Sequence, residues 1–196
     1  MSQRPLQWDL PLERLLDPRH GRGQWPGFVR ITRPDQLWVI DSTRVRVGDR
    51  WVTLHVVLDC CTREVVGWSL DPFSRPSDAI SCLELAIARR NTDITWLTVH
   101  APRRPPFSAR AFRRHLRFRG IATPRWCRSD LMPRALAEHW IDHFHIRCAL
   151  RCDWTDIGGA RRDVAAYIDT YQHRQQAGLA YSSPADVAAT WRGEPA

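Results

Sequence analysis

Arginine dominates one long stretch of the chain that has the residue types for binding a polyanion. From Ile94 to Ser129 there are nine arginines and no Asp or Glu. The segment SARAFRRHLRF within it is predicted to form a helix that ends before Gly120, with Phe112 and Leu116 on its apolar face. Four arginines then share the opposite face: Arg110, Arg113, Arg114 and Arg117. This face could contact the phosphates of DNA, and the competing interpretation is an ordinary solvated helix face.

A second group of potential ligands combines histidine with cysteine further along the chain: His139, His143, His145, Cys148 and Cys152. Imidazole and thiolate both bind zinc, but these residues do not have a recognised zinc-motif spacing. Helical periodicity explains Cys148 as a core residue. We therefore favour a structural interpretation over a zinc site.

Composition favours a nucleic-acid partner. The chain has 196 residues and a net charge of +8, and all 29 of its basic residues are arginine. Because the planar guanidinium group suits bidentate contact with phosphate, a polyanion such as DNA is the leading partner class. The alternative is a solvated basic surface encoded by an arginine-rich genome.

The cysteines and the hydropathy pattern indicate the compartment. Six cysteines are irregularly spaced and do not resemble a disulfide framework. No apolar run is long enough to span a membrane, and the N-terminal residues lack the apolar core of a signal peptide. We expect a soluble, reduced protein of the bacterial cytoplasm, with no membrane partner.

The elements predicted from the chain follow the order β-β-β-α-β-α-β. Three β-like runs come first, QLWVIDSTRVRV, RWVTLHVVLD and REVVGWSLD, with a turn at Gly48-Asp49. The next segments are a helix with Ser77 as a plausible N-cap, the strand ITWLTVH, the arginine-rich helix and a short fifth strand, IATPRW.

Helices are predicted to follow this alternating region. RALAEHWIDHFHIRCALR and ARRDVAAYIDTYQHR have apolar residues at helical spacing, and Ser183-Pro184 is a cap and first turn for a short closing helix. We divide the chain into an N-terminal arm (1–35), a core (36–150) and a C-terminal helical extension of that core (151–196).

Four motifs in this order resemble the integrase core of retroviral integrases and bacterial insertion-sequence transposases. Trp38-x-x-Asp41-x-Thr43 is similar to the opening strand of the family, and VVLDCCTREVVGW to its second and third strands. His100, Phe107 and Gly120-Ile121 keep the spacing of the fourth strand and the helix after it. YQHRQQAGLAYSSP resembles the C-terminal signature, with Gln172 where Asn is usual.

The resemblance implies an RNase H-like α/β fold, with a mixed five-stranded sheet flanked by helices. It also implies a Mg²⁺- or Mn²⁺-dependent DNA endonuclease and strand transferase. In such a site, three carboxylates hold two divalent ions that activate the nucleophile and stabilise the leaving oxygen. Asp41 and Glu138 stand at the first and third acid positions and are the candidate catalytic and metal-binding residues. The basic residue that the family carries after the third acid is His145, a candidate DNA contact.

The second acid position departs from the family pattern. Where the family has His-Ser-Asp-x-Gly, this chain has His100-Ala101-Pro102-Arg103-Arg104, so Pro102 replaces the metal-binding Asp. The family's Asp-Asn-Ala before the catalytic helix is Pro133-Arg134-Ala135 here. Substitution of the missing acid by His100 or Asp142 is possible but less favoured than a structural histidine and a surface acid. The incomplete triad predicts impaired or lost catalysis with weak or absent metal binding.

Two functional hypotheses follow. The first is an integrase-core polypeptide of a transposable element, built for DNA cleavage and strand transfer but inactive or nearly so. The second is a non-catalytic DNA-binding or oligomerising protein, such as a regulator of an intact transposase. DNA is the expected partner in both, together with a second copy of the chain or an intact transposase.

Overall fold

The computed structural model describes residues 31–91, 94–123 and 131–193. Residues 1–30, which make up most of the predicted arm, lie outside this part, and so do the last residues of the predicted fifth strand. No helix of the described residues has the length and apolar character needed to cross a membrane.

A mixed sheet forms the centre of the fold. Its strands are β1 (Leu37–Val47), β2 (Arg50–Asp59), β3 (Val65–Asp71) and β4 (Thr98–His100). The order across the sheet is β3-β2-β1-β4, with β1 antiparallel to β2, β2 antiparallel to β3, and β1 parallel to β4. The antiparallel meander predicted from the first three β-like runs is therefore confirmed.

The sheet has four strands in the described residues, so the prediction of five is wrong. Ala122 forms only an isolated bridge to Thr98. Strand β4 is short because the first half of its predicted run, Ile94–Trp96, forms a 3₁₀ turn. Pro102 lacks the N–H that a longer ladder would need. With so short a partner, only Ala122 of the described residues 121–123 pairs with β4.

Five helices cover the two faces of the sheet within the described residues. They are α1 (Pro76–Arg90), α2 (Arg110–Phe118), α3 (Leu131–Phe144), α4 (Ile157–Gln172) and α5 (Pro184–Arg192), and a π-helical turn at His145–Ala149 continues α3. Helix α1 begins before the predicted cap Ser77, because Pro76 takes the first helical position and Asp78 Oδ2 accepts a hydrogen bond from Arg75 N at 2.8 Å. The predicted cap Ser183 is confirmed, since its Oγ accepts from Asp186 N at 3.1 Å.

Alternation along β1 sends its side chains into two separate apolar layers. Trp38 and Ile40 are fully buried with residues of α1 and α2. Leu37 and Val39 point to the other face and pack with residues of α3 and α4, including the buried Trp140. The odd-numbered positions of β1 therefore face α3, and Asp41 is one of them.

Gly67 explains part of the third-strand motif. A Cβ atom at this position would lie 2.5 Å from Ala86 Cβ, so β3 and α1 approach more closely than any side chain would allow. The glycine of the Val-Gly-Trp sequence is thus a packing requirement of the fold.

Candidate metal centre and nucleic-acid interface

Asp41 lies in the middle of β1 and is buried, with 5% of its surface exposed. Its Oδ1 accepts a hydrogen bond from the backbone N of Ser42 at 2.7 Å. The same oxygen accepts a charge-assisted hydrogen bond from Arg104 Nη2 at 2.5 Å. Such bonds are among the stronger ones in proteins. The negative charge of Asp41 is therefore already matched by a guanidinium group.

Pro102 lies two residues after the end of β4, the strand that pairs in parallel with β1. Val39 is paired with His100, and continuing this register by two residues brings position 102 level with Asp41. The side chain of Pro102 is partly buried and has no atom that can bind a metal ion. Arg104 follows in the same loop, so this corner of the sheet contributes a cationic group where the family contributes a carboxylate.

Glu138 lies on α3 and is also paired with an arginine. Its Oε1 accepts a hydrogen bond from Arg134 Nε at 2.7 Å, and about half of the Glu138 side chain is exposed. The pKa of Arg134 is raised by this hydrogen bond and by the charge of Glu138, with a smaller contribution from the charge of Asp41. Asp41 points to the face of the sheet that α3 covers, and Glu138 lies on α3. Each of the two candidate acids forms an ion pair with its own arginine.

His145 lies partly buried beside the first acid. Its Nε2 forms a hydrogen bond of 2.8 Å with Oγ1 of Thr43. Thr43 is two residues after Asp41 on β1 and points to the same face of the sheet. The candidate DNA contact His145 is thus tied to the threonine of the Trp-x-x-Asp-x-Thr motif.

The other candidate ligands do not complete a metal site. Within 31–91, 94–123 and 131–193, no group of three or more His, Cys, Asp or Glu residues is arranged to hold an ion. Asp142 is exposed on α3, and His100 is partly buried at the end of β4. The residues at the three acid positions therefore do not fit the two-metal centre that the family pattern implies.

The histidines and cysteines of the predicted group make packing contacts. The rings of His139 and His143 lie 4.3 Å apart, one helical turn from each other. Cys148 is buried in the core, as its periodicity predicts, and burial raises the pKa of its thiol to about 12.

Helix α2 presents its arginines to solvent. Phe112 and Leu116 are buried, and the four arginines of the predicted stripe are exposed. Elsewhere on this helix, His115 Nε2 and the following Arg119 lie 2.7 and 3.4 Å from the carboxylate of Glu84. The four stripe arginines form no ion pair with any described residue. Their guanidinium groups are accessible to an external anion.

Sequence reasoning missed two features of the charged groups. The sequence shows Arg104 only as a departure from the family glycine and does not predict its contact with Asp41. The largely buried ion-pair cluster of Asp35, Glu64 and Arg90 is not predicted at all. The only signal in the sequence for the first feature is that arginine occurs at two of the positions where the motif departs from the family.

Comparison with known proteins defines the family. The integrase core domain model matches residues 31–129, which is half of the chain. The chain belongs to the integrase core domain family. Similar bacterial proteins include the transposase InsF for insertion sequence IS3fB of Escherichia coli K12, which is 29% identical over 119 residues. The transposase for insertion sequence element IS629 of Shigella sonnei is 23% identical over 143 residues.

This integrase core matches only part of those relatives. The matched region covers 59% of the chain and 40% of the InsF transposase, and 73% of the chain and 48% of the IS629 transposase. The chain therefore spans about half, or less, of the length of the curated relatives that it matches.

Solved structures agree on the fold of this integrase core. The integrase catalytic core domain of HTLV-2, in complex with magnesium, superposes with a TM-score of 0.60 at 15% identity, covering 81% of this chain and 98% of that one. The catalytic core domain of BIV integrase gives a TM-score of 0.57 at 15% identity, covering 81% and 97%. These matches confirm the predicted RNase H-like fold.

Proposed function

We propose that the chain is the integrase core of a bacterial insertion-sequence transposase whose metal-dependent DNA cleavage and strand transfer are impaired or lost. The observation that carries this proposal is the pairing of both surviving acids with arginine, Asp41 with Arg104 and Glu138 with Arg134. The second acid position is occupied by Pro102. A divalent ion entering this site would have to displace two guanidinium groups and would find one carboxylate fewer than the family provides.

The expected loss of transition-state stabilisation can be scaled from enzymes that lack one charge-stabilising group. Removing one preorganised group that stabilises developing charge commonly costs about 2.7 to 4 kcal/mol of transition-state stabilisation. Here a metal ligand is missing and the other two are neutralised, so the loss should be at least that large. We derive no catalytic step through an ion at this site.

A divalent-metal titration tests the proposal. We expect calorimetry with Mn²⁺ and Mg²⁺ to give no saturable binding up to about 10 mM, well above the range of weak protein sites for such ions. Asp41→Asn serves as the matched control and should behave like the unaltered protein. Saturable binding, or nicking of DNA, that disappears in Asp41→Asn would show that the site is functional.

The second candidate is a non-catalytic DNA-binding protein, and the exposed arginine stripe of α2 favours it. Guanidinium groups without internal partners are available for phosphate contacts, and such contacts need no metal ion. A protein of this kind would act on DNA in the bacterial cytoplasm. A second copy of the chain or an intact transposase would be its protein partner.

We expect the unaltered protein to retain labelled duplex DNA at low salt in the presence of EDTA. The variant Arg113→Gln/Arg114→Gln should bind more weakly, and its slope of log K against log salt should be smaller by about 1.8, because each lost phosphate contact removes about 0.9. Fluorescence anisotropy at several salt concentrations measures both quantities. Arg46→Gln/Arg50→Gln removes two exposed charges from the β1–β2 hairpin and is the control. Equal losses in the two variants would mean that α2 is not the DNA contact.

For the domain organisation, we propose that residues 151–196 extend the core and do not form a domain of their own, with residues 1–35 as an arm. Val164 and Ile168 of α4 belong to the same buried cluster as the sheet. Gln172 pairs with both backbone groups of Val65 on the edge strand β3, accepting from its N at 3.0 Å and donating to its O at 3.4 Å. Tyr171 Oη donates to Arg63 O at 2.9 Å. The C-terminal signature therefore attaches α4 to the core.

A further inference from the structure

A basic pocket lies between the C-terminal ends of α1 and α5, beside the residues that lead into β1. Its volume is about 350 Å³, at the lower end of the range of small-ligand sites. We call it the α1–α5 pocket and define it by Arg33, Asp35, Arg89, Arg90, Trp191 and Arg192. Asp35 lies in the turn before β1, and Asp41 is four residues along β1 from Leu37, which corresponds to roughly 13 Å for an extended strand. The pocket is thus separate from the candidate metal centre.

Arg90 anchors the pocket. Its Nε lies 3.0 Å from Asp35 Oδ1 and its Nη1 lies 2.7 Å from Glu64 Oε2. The side chains of all three residues are less than one fifth exposed. This ion-paired cluster fixes the end of α1 against the start of β1. The negative charges of Asp35 and Glu64 balance the positive charge of Arg90.

The other arginines leave an excess of positive charge at the pocket. Arg33 and Arg89 are exposed and form no ion pair with any described residue, and Arg192 Nη1 is 3.8 Å from Glu64 Oε1. Among the lining residues that the structure describes, only Asp35 is acidic. Stabilisation of the negative end of the α1 dipole would explain Arg89 and Arg90. The α5 dipole gives the same explanation for Arg192, which lies in the last turn of that helix. Neither dipole explains Arg33, which reaches the same pocket from the segment before β1.

Trp191 adds an aromatic surface to the same pocket. Half of this side chain, 53%, is exposed. An exposed indole next to guanidinium groups combines a stacking platform for a base with donors for a phosphate. A simple inorganic anion would use only the arginines, and an apolar ligand would use only the tryptophan.

We propose that the α1–α5 pocket binds a nucleotide unit, with the base stacked on Trp191 and the phosphate held by Arg33, Arg89 and Arg192. The same chemistry is offered by a free nucleoside polyphosphate and by a nucleotide within a single-stranded nucleic acid. The site does not depend on the candidate metal centre or on the arginine stripe of α2.

Binding is tested in EDTA at low salt with two probes, ATP and a labelled oligoadenylate of about 15 nucleotides. We expect at least one probe to bind. Trp191→Ala should weaken that binding by at least about fivefold, the lower limit for the loss of a base stack. Arg33→Gln/Arg89→Gln should weaken it by about tenfold or more and reduce its dependence on salt.

Matched controls exist on the β1–β2 hairpin. Trp51 is 50% exposed and lies under the guanidinium of Arg44 at 5.2 Å, so Trp51→Ala removes an equally exposed indole beside an arginine. Arg46→Gln/Arg50→Gln removes two exposed charges. Neither control should change the affinity of the probe by more than about twofold, since surface substitutions away from a site have small effects.

The outcomes separate the two sources and can overturn the proposal. Binding of ATP with the expected variant pattern supports a free nucleotide as the ligand, and binding of the oligonucleotide alone supports a nucleic-acid strand. Failure of both probes to bind overturns the proposal. It is also overturned if Trp51→Ala has the same effect as Trp191→Ala, or if inorganic tripolyphosphate binds as tightly as ATP.

Discussion

The triple variant Pro102→Asp/Arg104→Gly/Arg134→Asn is expected to bind Mn²⁺ saturably, with a dissociation constant in the range of about 10⁻⁴ to 10⁻³ M that is typical of weak carboxylate sites. Pro102→Asp alone should not. In the single variant, Arg104 still donates to Asp41 at 2.5 Å, and it lies only two residues after the new carboxylate in the chain. Restoring the acid without removing the arginines would extend an ion-pair network and would not open a metal site.

Calorimetry and the electron paramagnetic resonance signal of Mn²⁺ measure this difference directly. Pro102→Asp/Arg113→Gln/Arg114→Gln is the matched control, because it adds the same acid and removes two arginines that are not paired with Asp41 or Glu138. It should behave like Pro102→Asp. If Pro102→Asp alone binds Mn²⁺ as tightly as the triple variant, the arginines do not block the site. If the triple variant is folded by circular dichroism but binds no ion, the geometry of the site has been lost along with its acid.

Local patterns in the sequence predict the sheet and the missing acid. Runs rich in Val, Ile, Trp and Thr, separated by turn residues, predict β1 to β3, and these strands are buried on both faces over much of their length. A proline at position 102 excludes a carboxylate whatever the fold. The length of β4 is not predictable in this way, because Ile94–Trp96 has β-like residue types but forms a 3₁₀ turn. A short apolar run does not distinguish between these two conformations.

The sequence does not predict which charged residues form ion pairs when they are far apart in the chain. Arg104 and Asp41 are 63 residues apart, and Arg90 and Glu64 are 26 apart. Such contacts depend on how the helices and loops pack on the sheet, and no local period encodes them. The pair Arg134–Glu138 is the exception, because a spacing of four residues on a helix brings the two side chains together. Only this neutralised acid could have been predicted before the structure.

Replacement of Arg90 by alanine is expected to lower the free energy of unfolding by about 3–5 kcal/mol, the cost of removing one partner from a buried ion pair. Asp35 and Glu64 would remain without Arg90, with 19% and 10% of their side chains exposed. Asp59 is close by and fully buried, and burial raises the pKa of its carboxyl group. Three acidic groups would then share a small volume without the central cation. Urea denaturation at neutral pH measures the loss.

Arg89→Ala is the matched control, since Arg89 is the adjacent residue on α1 but is exposed and has no ion pair in the described part of the chain. It should change the free energy of unfolding by no more than about 0.5 kcal/mol. If the loss in Arg90→Ala comes from unpaired carboxylates, Arg90→Ala/Glu64→Gln should be more stable than Arg90→Ala alone, because contacting residues are not additive. The difference between Arg90→Ala and the unaltered protein should also shrink as the pH falls, since the uncompensated carboxylates then take up protons. A constant difference at all pH values, with no rescue by Glu64→Gln, would mean that Arg90 stabilises the fold by packing and not by charge.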